Sequence, residues 1–416
     1  MTDASVSEQT DAESTFSETQ FREAFVRTIV IGGGIAGPAI ALALQKIGHD
    51  VTVYEAYDVP PEDVGAHFSL AVNGLRALEK LGCLRDVQAA GYPIERMRFY
   101  TEGGHLLGDV PRLRREADSM RSISLQRGRL VAILRRAALD AGAQIVTGER
   151  LVGGTELADS VVAEFASGRR DTAELLVGAD GVWSTVRGLI DSSAPRAEYA
   201  GLYGVAGIAT MTGLEPGVWN LAYTRNGAFV YTSIDEQTQW WTAQIGDPVK
   251  PDLRGIDAAQ WLRRVTELFP EAMPRAIVGA ATSIVASGYL NVCDPVRTWH
   301  SGRMVLAGDA AHPVGVGHGA SMCIEDALEL AAALNSAPTV PAALKAYDAA
   351  RRPRIDKLLK HGHNARESKR PGAVKRQVNA AKMRVLLPFF ERAQGYLYDY
   401  EPPSLSAVDG SQSATR

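Results

Sequence analysis

Three clusters of glycine and acidic residues, each following an apolar run, carry the residue types and spacings that could do chemistry in this chain. The first is Gly32-x-Gly34-x-x-Gly37, preceded by Thr28-Ile-Val-Ile31 and followed by an apolar helical stretch that stops at Gly48. Between a strand and a helix, such glycines have separate tasks. Gly32 permits a tight turn, Gly34 lets the backbone approach a pyrophosphate, and Gly37 allows the helix to pack close to the strand. The free N–H groups and positive dipole end of the helix then face the phosphates. Pro38 falls in the first turn, where a missing N–H costs little. Glu55 closes the next strand, Val51-Thr-Val-Tyr54, about 20 residues beyond the glycines, where a carboxylate can accept hydrogen bonds from a ribose diol.

The second cluster is Gly178-Ala-Asp180-Gly181, at the end of Leu175-Leu-Val and before Ser184 to Arg187. Alone, an Asp-Gly pair reads as a plain turn. The third is Gly308-Asp309-Ala-Ala-His312, after the buried-strand pattern Met304-Val-Leu, followed by Gly315-Val-Gly317-His-Gly319 and a helix from about Ala320. A glycine-rich loop ahead of a helix places backbone N–H groups against an electron-rich ligand edge. No catalytic base stands out. His67, His312 and His318 lie near these clusters, but a hydrogen-bonded buried imidazole is the commoner role for each. His361-x-His363 has the look of a metal pair, yet i,i+2 side chains diverge on a helix and no further ligands accompany them, so no metal is expected.

The elements that must position these residues fall into a pattern. Strand, helix and strand alternate from Thr28 to Glu55. Glu95 to Tyr100 and His105 to Val110, split by Gly103-Gly104, read as a hairpin. Gln144 to Leu157 and Val161 to Val177 read as meandering strands, and β-rich runs continue from Tyr203 to Ile245 with a turn at Arg225-Asn-Gly227. Helix dominates from Ile324 onward. Sheet inserted between two helical regions predicts two interleaved domains. The length of 416 residues accommodates both. A net charge of −4 gives no electrostatic footprint for nucleic acid, and no run of about 20 apolar residues is present for a transmembrane segment. Cys83, Cys293 and Cys323 are far apart, which fits reduced thiols and a cytoplasmic location. The acidic N-terminal stretch lacks the basic and apolar regions of a secretory signal.

Taken together and in order, these clusters resemble the FAD-dependent monooxygenases of the p-hydroxybenzoate-hydroxylase type, the class A flavoprotein aromatic hydroxylases. The resemblance covers roughly Arg27 to His363. Beside the three clusters and Ile324-Glu-Asp326-Ala, it includes Gly65-Ala66 with Asn73-Gly-Leu-Arg-Ala-Leu, Arg127-Gly-Arg-Leu130, and Ala343-Leu-Lys-Ala-Tyr347 with Arg351-Arg-Pro-Arg354. It implies an α/β fold: a Rossmann-like FAD-binding domain interleaved with a mostly antiparallel β-sheet substrate domain, plus C-terminal helices. The expected boundaries are a disordered tail at 1–25, an FAD-binding domain at 26–93, 120–195 and 286–365, a substrate domain at 94–119 and 196–285, a helical segment at 366–402, and a second tail at 403–416.

The resemblance also implies roles. Gly32, Gly34 and Gly37 would cradle the FAD pyrophosphate, with Arg127 near the phosphates and Glu55 on the adenosine ribose. Asp180 belongs to a motif tied to FAD and NAD(P)H binding, and Asp309 would bind ribityl or ribose hydroxyls. The backbone of Gly317, Gly319 and Ala320 would face the isoalloxazine pyrimidine edge. NADPH or NADH would reduce the flavin transiently, and one oxygen atom from O2 would pass through a C4a-(hydro)peroxyflavin to a small apolar or aromatic substrate. Period-two alternation puts Trp219 and Tyr223 on one face of a strand and Phe229 and Tyr231 on one face of the next, so Trp219, Tyr223, Tyr231, Trp241 and His67 are the expected substrate-side residues. Two departures from the family pattern stand out: Pro313 follows His312 at once, so the loop glycines arrive early, and His67 occupies a position that is often glycine. A halogenase, a double-bond reductase and a non-catalytic redox sensor share the same scaffold. Substrate identity and oligomeric state are left open.

Overall fold

The β-branched segment Arg27–Ile31 becomes the central strand of a five-stranded parallel sheet, ordered Met304–Leu306, Leu175–Gly178, Arg27–Ile31, Asp50–Tyr54, Gln144–Val146. Its residues from Thr28 to Ile31 are all buried, as a strand covered on both faces requires. The computed structural model describes residues 26–58, 65–111, 120–313, 318–367 and 395–405, with side chains of the helix Val340–Glu367 as far as residue 360. The tail expected at 1–25, residues 406–416 of the tail expected at 403–416, and residues 368–394 of the helical segment expected at 366–402 lie outside the described residues.

The first helix, Ala36–Lys46, runs directly out of the glycine turn and packs against Arg127–Asp140 and Gly319–Ser336. Alanines and leucines fill that contact: Ala39, Ile40, Ala41, Ala43 and Leu44 are buried with Ile324, Ala327 and Leu328 in one continuous core. A meander of Leu151–Glu156, Val161–Phe165 and Arg170–Ala173 and a small sheet of His67–Leu70, Ser122–Gln126 and Tyr92–Ile94 flank this unit.

A second, seven-stranded sheet runs in the order Ala281–Val292, Glu198–Thr210, Thr238–Gly246, Gly227–Ser233, Val218–Tyr223, Arg96–Tyr100, Leu106–Pro111. All its pairings are antiparallel except that of Val218–Tyr223 with Arg96–Tyr100. The hairpin around Gly103-Gly104 and the turn at Arg225-Asn-Gly227 both form where expected. The strand Ala281–Val292 carries this sheet past residue 285, so the boundary expected there falls inside a strand. Continuous pairing with Glu198–Thr210 is the reason.

Register separates this sheet into two faces. Tyr231 stands opposite Trp241 and Phe229 opposite Ala243 on one face. That face is covered by two helices, Ala258–Leu268 and Ala272–Gly279, through Trp261, Val265, Phe269, Ile277 and Val278. These helices lie beyond the β-rich runs that end at Ile245, in a stretch to which the sequence pattern assigns no element. Trp261 and Val265, spaced i,i+4, fall on the buried side, and Asp257 and Gln260 form a capping box at the helix start. On the opposite face stand Trp240, Thr232 and Trp219, in register across three strands. This face meets the rest of the chain through the strand His67–Leu70.

Candidate active site

The glycine turn is held as its spacing predicts. Gly32 has φ +110°, and a Cβ there would lie 2.3 Å from the Ala179 carbonyl oxygen; at Gly37 it would lie 1.8 Å from the Gly32 oxygen. Neither position tolerates a side chain, because backbone closes on both. Gly34 differs: the one atom near its missing Cβ is Arg127 Nη2, at 3.9 Å. The space outside Gly34 is therefore open, as a cradle for a ligand requires. Arg127 begins the helix Arg127–Asp140, and its guanidinium interacts electrostatically with Asp309.

Asp309 sits in the short turn Gly308–Ala310 that ends the strand Met304–Leu306. Its side chain is solvent-exposed, yet protein packs closely around its carboxyl and raises its pKa, an effect that His312 and Arg127 oppose. Exposure with dense surroundings marks the floor of a cleft. The turn itself is fixed from beneath. Asp326, fully buried, accepts from Gly308 N–H at 2.8 Å, from His312 Nε2 at 2.7 Å and from Arg351 Nε at 2.8 Å. Glu325, also buried, accepts from Asn73, Arg351 and Arg354. Burial opposes ionisation of Asp326, but His312 and Arg351 prevail and bring it down to about 2.

Two expected ligand residues have partners within the chain. Glu55 Oε2 accepts from Gly33 N–H at 2.6 Å and Oε1 from Tyr57 N–H at 3.0 Å. A carboxylate has lone pairs to spare beyond these, so the loop contact and a ribose contact are compatible. Asp180 accepts from Ser184 Oγ at 2.5 Å and from the amides of Thr185 at 2.7 Å and Val186 at 3.2 Å, capping the helix Thr185–Ile190. Its role in this geometry is to shape the turn that abuts Gly32. Arg187 then ties the second cluster to the third, donating to the carbonyls of Val182 and Ala310.

Comparison with known proteins bears directly on this geometry. Residues 26–361 match the family model described as an FAD binding domain. The chain belongs to this family. It is 30% identical over 332 residues to aurachin C monooxygenase/isomerase of Stigmatella aurantiaca, covering 78% of this chain and 84% of that protein. It is also 30% identical over 342 residues to 2-heptyl-3-hydroxy-4(1H)-quinolone synthase of Mycobacteroides abscessus, covering 79% and 86%. The structure of Klebsiella pneumoniae HpxO complexed with FAD and uric acid superimposes with a TM-score of 0.79 at 23% identity, covering 91% of this chain and 98% of that one. The chain is an FAD-dependent monooxygenase of the class A type, with FAD as cofactor and NAD(P)H as the donor typical of the family.

In this monooxygenase the residues of the three clusters fit the cofactor. The crowded Gly32 and Gly37, the open Gly34 and the cleft-floor carboxylate of Asp309 are the features a dinucleotide needs. Gly319 and Ala320 open the helix Gly319–Ser336, half-buried and at its N-terminus. Gly317 lies outside the described residues. Among the described residues no group of three or more His, Cys, Asp or Glu is arranged to hold a metal ion, and no helix is long and apolar enough to cross a membrane.

The expected substrate residues divide. Trp219 and Tyr223 stand on the sheet face that meets the FAD unit, where burial pushes the Tyr223 phenol up to about 12. Tyr231 and Trp241 do not: they pack on the opposite face, Trp241 stacking on Phe229 at 5.8 Å beneath the two helices. The helices, unseen in the sequence, make that face a core. On the face shared with Trp219 stands Trp240, whose ring stacks on His67 with centroids 3.4 Å apart, while Tyr92 meets it edge-on at 5.3 Å. Alternation along the strand was the signal that could have found Trp240, since adjacent tryptophans must face opposite ways. His67 is buried, and neither ring nitrogen has a hydrogen-bond partner.

Proposed function

We propose that the cleft between the cofactor cradle and the Trp240 face of the seven-stranded sheet takes a small apolar or aromatic molecule, which the enzyme hydroxylates or epoxidises with one oxygen atom of O2. The observation that supports this most directly is the His67–Trp240 stack. His67 pairs with Gln126 across the small sheet, and Gln126 immediately precedes Arg127, so the aromatic wall lies one residue from the phosphate-binding helix. When bound, FAD supplies the oxygen-transfer chemistry, and the chain binds, orients and excludes water. In this reading Gly32, Gly34, Gly37 and Arg127 hold the pyrophosphate and Glu55 the adenosine ribose. Asp309 takes the hydroxyls toward the flavin, Gly319 and Ala320 present amides at the ring edge, and Asp180 shapes the turn. His67, Trp219, Tyr223 and Trp240 form the substrate side. The FAD unit comprises 26–93, 120–195 and about 293–365, and the substrate unit comprises 94–111 and 196–292.

The test combines cofactor content with turnover. Purified protein should be yellow, and candidate aromatics should raise NADPH or NADH oxidation with matching O2 consumption. Asp309→Ala should weaken FAD binding by roughly 10-fold or more, the loss expected for a charged hydrogen-bond acceptor. Undiminished FAD affinity in that variant would remove Asp309 from the site. Flavin bound without reduction by either nicotinamide would favour a redox sensor.

A further inference from the structure

The strands that face the cofactor cleft are unusual in what they lack. On Arg96–Tyr100, Val218–Tyr223, Gly227–Ser233, Thr238–Gly246 and residues 202–210, the positions sharing a face with Trp240 carry no Asp, Glu, Lys, Arg or His. They are instead residues such as Trp219, Leu221, Val230, Thr232 and Thr242. These strands do carry charge, but on the other face. Arg98 stands in register with Asn220 and Tyr231, and pairs with Asp109 at 3.0 Å and Glu215 at 2.7 Å. Register alone puts every ionised group of these strands away from the cleft.

Opposite Trp240, His67 adds no charge. His67 is neutral: burial, assisted by the positive charge of Arg129, lowers its pKa to about 3. Its ring is spent against Trp240, and its two nitrogens offer one donor and one acceptor without charge. Arg129 itself is exposed. Arg127 and Asp309, charged residues among those described, belong to the cofactor cradle in the reading above. A carboxylate placed against this face would lose its hydration and gain no cation from these strands in return, which disfavours binding.

We infer that the substrate is an uncharged, planar aromatic molecule, bound between the Trp240 face and the cofactor, and that aromatic carboxylates are rejected. The inference rests on the proposed placement of the substrate at this face.

Matched pairs test it on the FAD-loaded enzyme: phenol against salicylate, 2-naphthol against 3-hydroxy-2-naphthoate, and indole against indole-2-carboxylate. Each is scored by stimulation of NAD(P)H oxidation and by perturbation of the flavin absorbance. The neutral member of a pair should be favoured at least 10-fold, and the preference should widen with ring area. Thr232→Arg, and separately the less buried Thr242→Arg, should retain FAD while raising response to the carboxylated member at least 10-fold. Trp240→Ala should lose the neutral ligands, and Trp240→Phe should recover them in part. Preference of the wild-type enzyme for the acids, or no response to any neutral member, overturns the inference while FAD binding and reduction leave the broader reading intact. A protein that takes up no FAD overturns both.

Discussion

Gly34 and Gly37 share a motif but answer to different neighbours. At Gly37 an added methyl would meet the Gly32 carbonyl at 1.8 Å, and both partners are backbone fixed by the strand and the helix. Gly37→Ala should therefore destabilise the fold by about 3 kcal/mol, read as a lower urea midpoint. At Gly34 the methyl enters open space beside Arg127. Gly34→Ala should leave stability within about 0.5 kcal/mol of the parent, yet lower FAD affinity by roughly 10-fold or more, measured by flavin fluorescence titration. Equal FAD binding by the Gly34 variant would show that nothing approaches that backbone. Trp240 and Trp241 make the same point for side chains. Adjacent residues of one type serve opposite faces, and only one reaches the cofactor side.

The helix Gly319–Ser336 and the helix Val340–Glu367 act together as the support for the Gly308–Ala310 turn. Asp326 holds the turn, Arg351 neutralises Asp326 and Glu325, and Arg354 carries the network on to the carbonyls of Tyr396 and Leu397. Arg351→Met would leave two fully buried carboxylates short of their cation, and should cost about 3–5 kcal/mol by chemical denaturation. The pH response has a definite sign. Asp326 has a folded-state value of about 2, below the ~3.9 of an unfolded aspartate. Its contribution is complete above about pH 4 and is lost as the pH falls toward 2. Acid unfolding should accordingly become less steep in Asp326→Asn, although that variant starts less stable. An unchanged pH profile would mean that Asp326 is not ionised in the folded protein.

Across the whole molecule, the proposed cofactor site draws on segments far apart in the chain. The cleft joins the first glycine turn, the start of the helix Arg127–Asp140 and the turn at Gly308, and faces a sheet built from residues 96–111 and 198–292. A ligand shared by so many segments stabilises them jointly. At free FAD one hundred times its Kd, linkage adds about 2.7 kcal/mol, so removing FAD should lower the Tm by roughly 3 °C and restoring it should reverse the change. Identical melting of the two forms would place the cofactor outside the cooperative core. The C-terminal residues 395–405 belong to the same assembly. Arg76 and Arg354 grip their carbonyls, Leu397 is buried, and the Tyr400 hydroxyl donates to Glu329.

The chain's local patterns determined the glycine and acidic turns on which the proposed cofactor cradle rests. Glycines at Gly32, Gly34 and Gly37, an acid at Glu55 and the turns at Asp180 and Asp309 are constrained by backbone geometry over a few residues, so their spacing alone carries the information. The order of the parallel strands was not legible there: Gln144–Val146 and Leu175–Gly178, which read as parts of meanders, join the parallel sheet beside Asp50–Tyr54 and Arg27–Ile31. What only tertiary structure decided was which way the inserted sheet faces. Alternation paired Trp219 with Tyr223, but it could not say which face the helices Ala258–Leu268 and Ala272–Gly279 would cover, because that depends on packing between distant segments. The same holds for Asp180, whose carboxylate is taken up by Ser184, Thr185 and Val186. It holds again for the buried path from Asp326 through Arg351, which joins residues whose separation in sequence is closed only by folding.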